Sequence, residues 1–120
     1  MNSVNIIGNL TRDPEVKHTA GGMAITELGI AWNGREKKGE EWVDKAHFFN
    51  VTCFGDRFEK LAQYLEKGKK VGISGRLEFQ QWDDKDTGAK RSAVKIIAND
   101  IFRERVTLRG LEGEMRTLPL

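Results

Sequence analysis

One stretch of the sequence has the apolar spacing of a helix, and it interrupts a series of strand-like segments. Four apolar residues share one helix face at spacings of i, i+3, i+4 and i+7: Phe58, Leu61, Ala62 and Leu65. Asp56 precedes this face and is expected to cap its start, and Gly68 is expected to end the helix in the left-handed conformation. The sequence therefore predicts a single helix between two groups of strands.

Turn signals separate the strand-like segments on either side of this helix. A short extended piece at 16–19 adjoins the first of them, and Gly75 marks an expected bulge in the fourth. The polar segment 33–41 is expected to be a long, mobile hairpin tip, because it has almost nothing to bury. Three strands, a helix and two strands match a five-stranded OB-fold barrel, so we predict an all-β protein with its helix between strands 3 and 4. In chain order the strand segments are 4–10, 24–32, 47–55, 71–82 and 92–102.

Composition excludes several kinds of site. The 120 residues include one cysteine, Cys53, and two widely separated histidines, so neither a disulfide framework nor a Cys/His zinc site can form. A net charge of +2 decides little about partners. No nucleophile, base and orienting group can be assembled from motifs, so we expect no enzyme, metal or cofactor. Without a signal sequence or an apolar run of roughly 18 residues, a cytoplasmic protein without membrane contact is expected.

The strand 47–55 is apolar on both faces, which is unusual for a half-buried strand. Alternate side chains point to opposite sides, so one set is expected in the core: His47, Phe49, Val51 and Cys53. The other set interleaves two rings with two small polar groups and is expected on a wet outer surface: Phe48, Asn50, Thr52 and Phe54.

The same alternation along 76–82 adds a third outer ring. Leu77 and Phe79 mark the expected inner side, which leaves Trp82 on the outer side with Arg76. Exposed rings among cations suit a single nucleic-acid strand, because bases of any sequence can stack on them. Rings on a small barrel can equally cover a subunit interface. From the pattern alone, the two interpretations stand about even.

Three segments together resemble the bacterial single-stranded DNA-binding proteins: "IIGNLTRDPEVKHTAGG", "HFFNVTCFGDRFEKLAQYLEKGKKVGISGRLEFQQW" and "DTGAKRSAVKIIAND". The resemblance covers residues 1–104 and implies an OB fold that binds single-stranded DNA in replication, recombination and repair. It also implies a homotetramer, with a dimer as the alternative, in a nucleoid-associated location. The family's stacking residues fall on Phe48, Phe54 and Trp82.

Two positions inside the domain depart from that family. A further stacking tryptophan of some members would fall near Glu36, and Trp32 or Trp42 could replace it from nearby. The alternative is that Trp32 packs inside, with the parity of Leu28 and Ile30, while Trp42 clamps the hairpin base. Asn50 stands where many members have an arginine. The secondary candidates for DNA contact are Trp32, Asn50, Arg57, Arg76, Arg35, Lys90 and Arg91.

The segment 105–120 is expected to be a short C-terminal extension. It lacks the Gly/Pro/Gln-rich tail and the acidic, aromatic tip of many family members, so recruitment of replication proteins through such a tip is not expected. The second functional hypothesis is an OB module of the primosomal accessory type, which acts mainly as a protein-docking platform and binds DNA weakly.

Overall fold

A computed structural model describes residues 1–106 and 115–119, with side chains through Arg103. Residues 107–114 and 120 of the predicted extension lie outside the described residues. No helix among the described residues is long and apolar enough to cross a membrane. The elements are β1 Val4–Leu10, β2 Glu15–His18, β3 Ala24–Lys38, β4 Glu41–Phe54, α1 Asp56–Ala62, β5 Lys70–Asp83, β6 Lys90–Val106 and β7 Met115–Pro119.

Five long strands close into a barrel. The sheet runs in the order β1, β5, β6, β4, β3, and β1 also pairs with β3, which closes it. Neighbours are antiparallel except β4 and β6, which are parallel. This confirms the predicted all-β, five-stranded OB barrel with one helix. The predicted position of the helix needs a correction, because β2 is a separate strand paired with β3, so α1 lies between the fourth and fifth strands.

The core fills the barrel and extends to the helix. Phe58 and Leu61 of α1, with Leu65 just after it, belong to one buried cluster with residues from all five barrel strands. This confirms the predicted apolar helix face, since burial of apolar side chains is the main force that holds an amphipathic helix to its sheet. The buried cluster consists of Leu10, Leu28, Ile30, Val51, Cys53, Phe58, Leu61, Leu65, Val71, Ile73, Ile96, Ala98 and Ile101.

The ends of the helix differ from the predicted ones. Asp56 does not cap the start, because it is the first helical residue. The capping position is Gly55, with φ 112°, which has no side chain to bond the first turn. The helix ends at Ala62, well before Gly68. Gly68 does have a positive φ of 93°, but its N–H donates to the Leu10 carbonyl at 2.8 Å. It therefore ties the chain to β1 instead of ending the helix.

The predicted bulge at Gly75 is confirmed. The register between β5 and β6 shifts between Ser74 and Gly75. A Cβ on Gly75 would collide with the backbone carbonyl of Ile97, so only glycine lets the two strands approach this closely. The bulge lies where β5 leaves the barrel wall, and it sets the direction of the strand beyond.

Two hairpins extend past the barrel. We call residues 31–48 the β3–β4 arm, from the Ala31–Phe48 pair outward, and residues 77–95 the β5–β6 arm. The predicted mobile tip at 33–41 is instead mostly strand: β3 continues through Lys38, and only Gly39 and Glu40 form the turn. Backbone pairing runs in unbroken register to Lys38 and Glu41. Ladder hydrogen bonds are satisfied without burying apolar area, which is why polar side chains did not end the strand.

Candidate nucleic-acid interface

Cross-strand pairing defines one outer face that spans four strands. Thr52 of β4 pairs with Glu27 of β3 and, on its other side, with Ile97 of β6, whose partner on β5 is Arg76. Paired side chains point to the same side of a sheet, so these four share the outer face. Thr52 was predicted to be wet and is only 1% exposed. Its Oγ1 donates to Glu27 Oε2 at 3.0 Å, and this bond satisfies the hydroxyl there.

The three predicted rings belong to this outer face and are exposed. Phe48 and Phe54 have the strand parity of Thr52 and are 72% and 42% exposed. Trp82 has the parity of Arg76 and is 50% exposed. Phe48 lies on the β3–β4 arm and Trp82 on the β5–β6 arm, so these two rings flank the region where the arms diverge. Phe54 lies at the barrel end of β4, where it pairs with Ile25.

The predicted inner residues of the β5–β6 arm are not buried. Leu77 and Phe79 are 46% and 62% exposed, so the burial that an inner side implies is absent. Their partners on β6 are Ile96 and Val94, and Ile96 lies in the core beside Val51. Their side is therefore the continuation of the inner face, but the arm has left the barrel, and Leu77, Phe79 and Val94 form an exposed apolar patch.

The two other tryptophans lie on the β3–β4 arm. Trp32 has the parity of Ile30, opposite to that of Phe48, and packs its ring against His47 with centroids 5.2 Å apart and an interplanar angle of 34°. It is half exposed, so it is neither sealed inside nor on the face of the other rings. Trp42 pairs with Lys37 near the tip of the arm, not at its base, and the Arg35 guanidinium lies 5.6 Å from its ring centroid.

Several predicted cations already have partners within the protein. Arg57 donates to Asp100 at 3.1 Å and to the carbonyl of Asn99, and it lies over the ring of Phe58. Arg91 donates to Asp84 at 3.2 Å. Backbone N–H groups and Arg91 together hold the pKa of the Asp84 carboxyl below its ordinary value.

Arg76 and Lys90 stand apart from those paired cations. Neither forms an ion pair with another described side chain. Of the predicted secondary cations, these two are the ones with neither an ion pair nor a ring contact among residues 1–103.

A groove opens where the arms part. β4 and β6 pair only through Val51 and Thr52 with Ile96 and Ile97, and beyond this point the strands diverge. The groove has a volume of about 350 Å³, and the predicted residue Asn50 lines it. Sequence reasoning missed most of the other lining residues, because they come from distant segments. The lining comprises Arg12, Glu15, Lys17, Glu27, Asn50, Gln80, Ala93, Val94 and Lys95.

Cys53 is the one thiol in the chain, and it lies in the core beneath this face. Burial, with a smaller contribution from the charge of Glu27, raises its pKa from 9.0 to about 12, although the positive charge of Arg57 acts in the opposite direction. The reactive form of a cysteine is the thiolate, so Cys53 is inert at neutral pH. Among the described residues no three His, Cys, Asp or Glu side chains are grouped to hold a metal ion.

Known proteins are similar to this chain in sequence and in fold. The model of the single-strand binding protein family matches residues 1–103. Relatives include the single-stranded DNA-binding proteins of Borreliella burgdorferi, at 44% identity, and Treponema pallidum, at 39%. Each alignment covers 84% of this chain, with 68% of the first relative and 56% of the second. The chain thus spans little more than half the length of some relatives.

Solved structures of single-stranded DNA-binding proteins have a similar fold. A deletion mutant of the single-stranded DNA binding protein from Thermus aquaticus superposes with a TM-score of 0.75 at 32% identity, covering 98% of this chain and 54% of that one. The Plasmodium falciparum SSB in complex with ssDNA has the same fold, with a TM-score of 0.75 at 20% identity and coverage of 98% and 95%. The barrel, the matched residues and the relatives lead to one conclusion: this chain belongs to the single-strand binding protein family.

Proposed function

We propose that this chain binds single-stranded DNA without marked sequence preference and protects it during replication, recombination and repair. One observation carries the proposal: Phe48, Phe54 and Trp82 are exposed rings on the outer face of the sheet. Phe48 and Trp82 each lie two residues along the strand from a groove-lining residue, Asn50 and Gln80 respectively. Its relatives are named single-stranded DNA-binding proteins, which favours this function over that of a primosomal-type docking module.

Base stacking and counterion release together supply the binding free energy, and stacking explains the lack of sequence preference. Each base stacked on an aromatic ring contributes about 1–3 kcal/mol, and every base has a face that can stack. Arg76 and Lys90 are proposed to contact phosphates, because both are exposed and unpaired among the described side chains. Arg57, Arg91 and Arg35 would first have to leave their present partners, so we rank them below those two.

A homotetramer, or a dimer, is the proposed assembly. The exposed patch of Leu77, Phe79 and Val94 favours a second copy as its cover, because contiguous apolar surface of this kind commonly marks a protein interface. This patch has the opposite strand parity to Trp82, so assembly and base stacking can use different faces of the arm. Of the three patch residues, Val94 also lines the groove. Sedimentation of the protein alone should report more than one subunit, whereas a monomer at micromolar concentration would contradict this part.

The remaining parts of the proposal follow from the family. We propose that residues 1–104 are the DNA-binding domain. The role is non-catalytic and needs no cofactor, and the location is cytoplasmic and nucleoid-associated. Incubation with labelled DNA should leave the DNA uncut.

The test of the central proposal is a titration of labelled oligo-dT followed by fluorescence anisotropy. We expect tight binding at low salt, steep weakening as salt rises because counterions are released, and much weaker binding of a duplex of equal length. Similar affinity for duplex and single strand, or no binding of oligo-dT at low salt, would contradict the proposal.

A further inference from the structure

A cation from a distant part of the sequence lies inside the groove. Arg12, in the loop between β1 and β2, lines the groove with Asn50 of β4 and Lys95 of β6. Its guanidinium lies directly over Gly29 of β3, where a Cβ would come within 2.6 Å of Arg12 Nη1. Gly29 is the cross-strand partner of Asn50, so the guanidinium rests on the floor of the groove beside that amide.

The fold holds this loop against β3. The Thr11 N–H donates to the Gly29 carbonyl at 2.9 Å, which fixes the loop next to the strand. A side chain at Gly29 would collide with the Thr11 hydroxyl as well as with the guanidinium of Arg12. Glycine weakens a strand interior and often marks a close approach by another group. The glycine at this position is explained by the space that Thr11 and Arg12 occupy.

The charge of Arg12 is available to a ligand. Within residues 1–103 no carboxylate lies within the 4.0 Å ion-pair distance of Arg12, although Glu15 and Glu27 line the same groove. By contrast, Lys17 in that groove is 3.6 Å from Glu15. Arg12 is therefore a guanidinium with no ion-pair partner among residues 1–103, in a loop that the backbone holds against β3.

We propose that Arg12 binds a backbone phosphate of single-stranded DNA on the floor of the groove, between the bases that stack on Phe48 and Trp82. A guanidinium presents parallel N–H donors that match the oxygens of a phosphate. Fixing the phosphate at the point where the arms part would set the path of the strand from one arm to the other. This inference rests on the proposed function and identifies a contact within that site.

The first test is Arg12→Gln, compared with Lys60→Gln on the helix, which removes the same charge outside the groove. For single strands, log K falls with log salt by about 0.7 per phosphate contact, so Arg12→Gln should reduce that slope by about 0.7. Its affinity at low salt should fall roughly tenfold, as expected for a hydrogen bond to a charged group. Lys60→Gln should change neither quantity appreciably. A slope and an affinity for Arg12→Gln that match those of Lys60→Gln would overturn the proposal.

Gly29→Ala provides a second test that leaves the charge unchanged. The added methyl group displaces the guanidinium, so affinity should fall about as much as in Arg12→Gln. The double variant should then be little weaker than either single one, because both changes remove the same contact. Fully additive losses in folded proteins would contradict this mechanism. If Gly29→Ala does not fold, Arg12→Gln decides alone.

The wild-type titration distinguishes failure of the proposed function from failure of the Arg12 contact alone. Wild-type protein that fails to bind oligo-dT would overturn the proposed function, and the phosphate contact with it. Normal wild-type binding with an unchanged slope in Arg12→Gln would overturn only the role of Arg12.

Discussion

The barrel and the two arms are built from the same strands, yet their side chains experience opposite surroundings. In the barrel, inner residues such as Leu28 and Val51 are sealed, and apolar burial holds the structure together. In the arms, exposed side chains occur on both faces, as Phe48 and Phe79 show. The backbone ladder pairs the strands there, with a few exposed cross-strand contacts such as that of Trp32 with His47. The barrel therefore supplies stability, and the arms offer side chains that are free to bind.

The sharpest way to break this comparison is to remove the rings on the two arms. Phe48→Ala combined with Trp82→Ala should weaken oligo-dT binding by about 2–6 kcal/mol, because two stacked bases lose their partners. Unfolding free energy should change little, since both side chains are largely exposed. Anisotropy titration and urea unfolding measure the two effects.

Tyr64→Ala is the matched control for the arm rings, because Tyr64 is an exposed ring beside the helix, away from the arms. It should leave affinity unchanged. A folded double variant with wild-type affinity would show that the arms do not carry the stacking site.

The converse experiment truncates a buried side chain of the barrel core. Leu28→Ala should lower the unfolding free energy by about 2–5 kcal/mol, because it leaves a cavity in a sealed core. Phe48→Ala removes more atoms, yet it should cost about 0.5 kcal/mol or less, because the ring is exposed. Urea denaturation compares the two variants. Equal losses would mean that the arm is packed as tightly as the barrel.

The junction between barrel and arm can be tested at the bulge. In Gly75→Ala the new Cβ meets the backbone of Ile97, which cannot move aside as a side chain would, so we expect a loss of about 1–3 kcal/mol. Gly21→Ala is the control, since its nearest neighbour is Thr19 Oγ1 at 3.9 Å. Thermal unfolding should separate the two variants. If they melt alike, strand approach at the bulge is not restrictive.

At neutral pH the smallest expected effect is that of the Cys53 thiol, because its titration changes stability only above about pH 9. The fold raises the pKa of this thiol from 9.0 to about 12, so the native state holds the proton more tightly than the unfolded state does. The resulting stability is fully present below about pH 9 and is lost as pH rises toward 12. Cys53→Ala should flatten that part of the stability curve.

A thiol reagent gives a second readout of the same burial. At pH 8 it should react with Cys53 only after urea unfolds the barrel, because the native thiol is sealed and protonated. Rapid reaction with the native protein would contradict the sealed core.

Sequence reasoning succeeded where strand parity and burial coincide. Alternation along 47–55 placed Val51 and Cys53 in the core and Phe48 and Phe54 outside, as the structure has them. For Leu77 and Phe79 parity predicted the correct face but the wrong burial, because it does not reveal where a strand leaves the barrel.

Local sequence patterns could not predict the features of the site that depend on contacts between distant segments. The polar arm at 33–38 continues the strand through backbone pairing, which leaves no hydrophobic signal. Arg12 enters the groove only because the loop after β1 lies against β3. The one local signal was Gly29, a glycine within an apolar strand, which indicates a close approach without saying by which group.

Trp82 fluorescence tests the central claim most directly. In a Trp32→Phe, Trp42→Phe background, Trp82 is the one remaining tryptophan of the chain. Saturating oligo-dT should strongly quench its emission, and added salt should reverse the quenching in step with the anisotropy of labelled DNA. Unchanged Trp82 emission while anisotropy reports saturated binding would show that the strand follows another surface.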